Sequence, residues 1–160
     1  MVLHNWVQVD KKNKLIVYYA WVESILRYGL EVYGTAFNTD IERVQKIQNK
    51  VVKTLFRKNG MNNNDMYKKL VILKIRKLLD FITTLNNYYK TEFKKTCLIK
   101  SNLLRKSTYR YNVMHPRNEF GKRNRNYRIP MLFNLLPNNV MMGCRIAEVK
   151  KLLKTFYLGL

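Results

Sequence analysis

With 160 residues, 47% of them hydrophobic and 26% charged, the chain has the composition of one globular domain, or a compact core with a tail, and not that of a disordered polymer. Lys and Arg number 31 against 10 Asp and Glu, a net charge of +21. Such an excess repels itself in a compact state unless an anion is near, which puts nucleic acid first among partners and an anionic membrane surface second.

The richness in Asn, Lys, Ile and Tyr matches A/T-rich coding. That coding supplies Asp and Glu as well, so it does not explain the sign of the charge. Cys97 and Cys144 stand far apart, and neither they nor His4 and His115 have metal-ligand spacing, so reduced intracellular thiols are expected. No apolar run reaches membrane-spanning length and no signal-peptide pattern is present.

Residues 1–14 carry no helix signal and read as a ragged N-terminal segment. Leu15, Tyr18, Tyr19, Val22, Ile25 and Leu26 then follow helical spacing. They predict a helix to Tyr28, with Gly29 placed for a left-handed C-terminal turn. Thr39 and Glu42 form a capping-box pattern before a second helix. On that helix Ile41, Val44, Ile47, Gln48, Val51 and Leu55 share one face, and Arg43, Lys46, Lys50, Lys53 and Arg57 share the opposite one. Gly60 stops it.

The run Met61 to Asp65 is a polar turn able to cap a short helix holding Met66, Tyr67 and Leu70. A third long helix is expected from about Leu73 to Phe93, with Leu73 in the connection or first turn. Its apolar stripe is Ile75, Leu78, Leu79, Ile82, Leu85, Tyr89 and Phe93. These helices make a core over residues 15–95.

Residues 96–129 lose periodicity and interleave cations with aromatics. Glu119 is the only acid between Arg105 and Arg128. This connection is expected to be extended or irregular. In residues 130–160 two short helices follow, one opened by Pro130 and closed by Pro137, the other placing Ile146, Val149, Leu152, Leu153 and Phe156 on one face. The fold class is therefore mainly α, a small helical domain of about five helices with a basic irregular segment before the last two.

Catalytic signatures are missing. Two-metal chemistry needs clustered carboxylates, and Asp10, Asp40, Asp65 and Asp80 are scattered. No Gly-rich phosphate loop, nucleophile elbow or Cys-His signature occurs. No enzyme activity, cofactor or metal is expected.

What remains is polyanion chemistry. The face of Arg43, Lys46, Lys50, Lys53 and Arg57 can neutralise phosphates without reading sequence, or it can be a plain solvated face. The stretch holding Tyr109, Arg110, Arg117, Lys122, Arg123, Arg125 and Arg128 has the mix of rings and cations that suits single strands, or it can be a loop anchored by its tyrosines.

The order of these segments resembles the C-terminal region of non-LTR retrotransposon reverse transcriptases of the jockey-like type. Tyr18 to Gly29 is similar to the family's "YYALV-S-L-YG" helix, with Tyr33-Gly34 in place of the following Trp-Gly. Ile41 to Phe56 is similar to its "L-KLQ-K-I-R-IF" helix. Tyr67 to Leu73 is similar to "LFKKLGIL", with Val71 where Gly is usual. The stretch Tyr109 to Asn118 loosely matches its "YNTR" region. Tyr127 to Pro137 is similar to "Y-GP-LWN-LP", with Phe133 for Trp, and the last helix is similar to "FKK-LK-YLL".

The resemblance spans nearly all of the chain after Lys14 and rests on order and spacing. It implies a thumb-like core that follows the catalytic palm and grips template–primer backbone. It also implies nuclear residence, no catalytic residue of this chain's own, and the palm of a parent polymerase as a protein partner. A helical interaction module and a degenerate transposon remnant are the alternatives.

Overall fold

The computed structural model describes residues 9–56, 62–88, 98–100, 109–111, 113, 115–137, 140 and 145–159. The chain is mainly α-helical, as its periodicity predicts. It divides into two compact units, one formed by residues 1–79 with residue 160, the other by 80–159.

In the first unit, α1 is a rod of three successive stretches: Lys11–Val17, a π-helical stretch Tyr18–Glu23, and Ser24–Arg27. It begins inside the segment expected to be ragged. Gly29 follows in the left-handed region (φ 71°) that the sequence pattern assigns to it. Then come α2 (Leu30–Tyr33), α3 (Asn38–Phe56) and α4 (Asn63–Leu70). Next is α5 (Ile75–Tyr88), which belongs to this unit as far as Leu79 and to the second unit from Asp80, with Leu73 in the connection before it.

The capping box expected at Thr39 does not form. The helix already starts at Asn38, because the amides of Asp40 and Ile41 both reach back to the Phe37 carbonyl. Asn62 does cap α4, its side chain accepting from the Asn64 amide. The end of α4 is closed by two bonds, Val71 N–H to Lys68 O and Ile72 N–H to Tyr67 O. This Schellman closure requires a left-handed residue at position 71, and Val71 supplies it at φ 57°.

The interior of this unit is built on Tyr18, Val52, Met66, Tyr67, Leu70 and Ile72, with Leu15, Tyr19, Val22, Leu55 and Phe56 packed against them. A polar network runs beside that cluster. Buried Gln48 donates through Nε2 to the Tyr18 hydroxyl (2.8 Å) and the Leu73 carbonyl (2.9 Å). Gln45 donates to Gln48 Oε1, Asn49 Oδ1 and the Tyr67 hydroxyl, and accepts from the first amide of α5, Ile75 N (2.9 Å). Two side chains of α3 thereby satisfy polar groups of α1, α4, α5 and the connection. Burial raises the pKa of the Tyr18 and Tyr67 phenols above the ordinary tyrosine range, so both hydroxyls stay neutral.

In the second unit β1 (Leu98–Lys100) and β2 (Tyr109–Tyr111) pair antiparallel, Ile99 opposite Arg110. Two helices follow where an irregular segment is expected, α6 (Glu119–Arg123) and α7 (Arg125–Leu135), and α8 (Ile146–Leu158) comes last. Pro130 does not open α7 but lies inside it. The start is set instead by Asn124, whose Oδ1 accepts from the Asn126 amide (2.9 Å). The same residue terminates α6, its amide donating to the Gly121 carbonyl. Helix α7 ends where Pro137 forces Leu136 into an extended conformation, as expected.

Asn134 continues the edge of β2, accepting from the Tyr111 amide (2.7 Å) and donating to its carbonyl (2.9 Å), while the Tyr111 and Phe133 rings meet edge to face. Buried Thr84 and the Tyr157 hydroxyl share a 2.8 Å hydrogen bond, and the Tyr88 hydroxyl donates to the Val140 carbonyl. Arg57, Gly60, Tyr89, Phe93, Cys97, Gly143 and Cys144, which the sequence pattern singles out, lie outside the described residues.

Candidate nucleic-acid interface

Helix α3 has two faces set by its internal pairing. Its buried residues are Ile41, Gln48 and Val52, which turn inward to the polar network and the apolar cluster. At about 100° per residue, Arg43, Lys46, Lys50 and Lys53 point nearly opposite, and all four are exposed. From Arg43 to Lys53 they extend over eleven residues, about 15 Å of helix rise. No acid follows Glu42 before the helix ends at Phe56. Arg43 has one carboxylate neighbour, Asp40 at 3.5 Å, with both groups well solvated, which makes this a weak pair. Ile47, expected on the apolar face, is exposed beside the stripe. Inward burial centres on Gln48, one residue and about 100° further round.

The cations of the second unit are placed differently. Arg128 is half-buried and donates to Asp80 Oδ1 at 2.5 Å; the side chains are 13% and 20% exposed. Arg125 is exposed and donates through Nη2 to Asn87 Oδ1 (2.7 Å). Lys122 pairs with Glu119 on the surface of α6, which lowers the Glu119 carboxyl pKa and raises that of the Lys122 ammonium. Arg117 is exposed just before α6, and Arg123 is half-buried at its end. Tyr109 and Arg110 are described only as backbone of β2. Arg43 to Lys53 are thus brought onto one face, whereas Arg117 to Arg128 are spread over a corner and two helices, part of them tied to structural partners.

Among the described residues no group of three or more His, Cys, Asp or Glu side chains converges to hold a metal ion. Asp40 and Asp65 lie in first turns, where a negative charge suits the helix dipole. Asp80 holds Arg128. Among the described residues no helix is long and apolar enough to cross a membrane.

Sequence pattern alone missed an exposed apolar face on α1. Trp21, Ile25 and Tyr28, spaced four and three residues apart, are 74%, 72% and 88% exposed. The spacing is visible in the sequence. Ile25 is expected on the inward stripe but lies on this exposed face instead, whereas Tyr18, Tyr19 and Val22 of that stripe do face inward.

No protein-family model, curated protein or solved structure matches this chain.

Proposed function

We propose that the chain is a noncatalytic nucleic-acid-binding protein that grips a sugar–phosphate backbone with the outer face of α3. The observation that carries this reading is the row Arg43, Lys46, Lys50 and Lys53, exposed, set against the buried face, and followed by no acid on its own helix. Arg57 continues the row by spacing. The row holds no aromatic ring, so it offers charge to phosphates without base stacking, and backbone contacts made through it carry no sequence information. The resemblance of the segment order to the post-palm region of retrotransposon reverse transcriptases points to the same ligand, a template–primer backbone, as RNA, DNA or a hybrid, and to the nucleus as its place.

The test is a salt titration of binding to labelled duplex, comparing the chain with Lys46→Glu/Lys50→Glu. The log–log salt slope becomes shallower by about two, near 0.9 for each phosphate that the variant no longer neutralises. An unchanged slope removes α3 from the interface.

A second reading, a helical module that docks on another protein, draws on the Trp21, Ile25 and Tyr28 face. In the resemblance that partner is the palm of a parent polymerase. Trp21→Ser/Tyr28→Ser separates the readings, since it spares salt-dependent duplex binding and abolishes association with such a partner.

A further inference from the structure

We propose that the corner joining α6 to α7 is a separate contact for unpaired nucleotides, with the Phe120 ring stacking on a base and the surrounding cations meeting the flanking phosphates. The inference rests on the reading that the chain binds nucleic acid, but on residues outside the α3 face.

Phe120 is 77% exposed on a helix of only five residues, so it contributes little to a core. The helix beneath it is firmly built. Asn118 caps it by accepting from the Gly121 amide (2.8 Å), and Asn124 closes it while opening α7. Pro116 lies so close over Gly121 that a Cβ there would sit 2.4 Å from the Pro116 Cβ. The ring is therefore held out on a fixed corner, and little ordering is left for a ligand to supply.

The charges around the ring select the ligand. Four cations, Arg117, Lys122, Arg123 and Arg125, stand against one acid, Glu119, between Arg117 and Tyr127, while Arg128 is held by Asp80. The Arg125 guanidinium is bonded to a neutral amide, Asn87, which leaves its charge available to an anion. Tyr127, half-buried near the start of α7, is a second ring close to Asn124 in the chain. Phe120 is the only exposed large apolar residue between Arg117 and Arg128. A docking peptide needs a patch of several such residues; a nucleotide needs one π-face and cations for its phosphates. Bases inside a duplex are already stacked, so the ring can engage only an unpaired one.

The experiment uses the full chain with labelled oligothymidylate and with a blunt duplex of equal phosphate count. Phe120→Ala weakens single-strand binding by about 5-fold to 100-fold, the range of one base stack. Duplex binding does not change, and Phe120→Trp retains the single-strand affinity. Lys46→Glu/Lys50→Glu does the converse, weakening duplex binding while the effect of Phe120→Ala on single strands persists. If Phe120→Ala leaves single-strand binding intact, or weakens both ligands equally, the stacking site is overturned. If wild-type chain binds oligothymidylate through Phe120 but does not bind duplex, the α3 reading fails and this one stands. If an acidic polypeptide displaces oligothymidylate equally well from the chain and from Phe120→Ala, the corner is a general anion surface and the proposal falls.

Discussion

Two groups of cations, alike in sequence, are used differently by the two units. On α3 the row from Arg43 to Lys53 has one weak carboxylate neighbour among the described residues and no buried member. In the second unit Arg128 is tied to Asp80 with both groups mostly out of water. A basic residue free to meet phosphate and a basic residue that holds helices together look the same in a linear pattern. Partners and burial distinguish them.

That contrast breaks most readily at Arg128. Replacing it with Met leaves the Asp80 carboxylate half-buried without its partner, and the expected loss is about 3 kcal/mol of stability, read as a lower denaturant midpoint. Adding Asp80→Asn should recover part of it. A loss below the error of the measurement would place Arg128 with the solvated cations after all.

The interior of the first unit offers the next test. Gln48→Leu keeps the volume but strands the Tyr18 hydroxyl and the Leu73 carbonyl, for an expected cost of about 2 kcal/mol. A neutral outcome in chemical denaturation would mean that water replaces the amide there. Smaller, and of opposite sign, is Val71→Gly. Relief of the left-handed backbone strain, about 1–2 kcal/mol, outweighs the added freedom of the unfolded chain. The melting temperature should therefore rise slightly. Smallest of all is Lys46→Glu/Lys50→Glu, expected to shift stability by under about 0.5 kcal/mol while it changes the salt slope. If it destabilises as Arg128→Met does, the two groups of cations are not different in kind.

Much of the helical outline is legible in the sequence, because long amphipathic periods and strong turn residues act locally. Gly29 and the Asn62 cap stand where their chemistry puts them. Val71 takes a left-handed backbone that Gly adopts most easily, and a β-branched residue gives no local signal of it. Competing signals defeat other expectations. Thr39 has the right side chain for a cap, but the Phe37 carbonyl already takes the first helical amides. Pro130 suits a first turn, yet Asn124 makes the stronger start six residues earlier. Helix α6 is too short to show any period. Gln48 does lie on the inward face that its spacing predicts. Its role as a bridge between α1 and the Leu73 connection depends on contacts at separations of 30 and 25 residues. Local pattern does not carry such contacts. The same is true of Arg128 and Asp80, 48 residues apart.

Asn124 ends one helix and begins the next, using its amide, its carbonyl and its side chain at once. Sequence length usually drifts in connections, where an inserted residue only lengthens a loop. Here no loop exists to absorb one. An insertion next to Asn124 would either extend α6, turning Phe120 by about 100° relative to α7, or remove the cap from both helices. From Pro116 to Leu136, then, the chain should tolerate changes of residue identity at its exposed positions far better than any change in the number of residues.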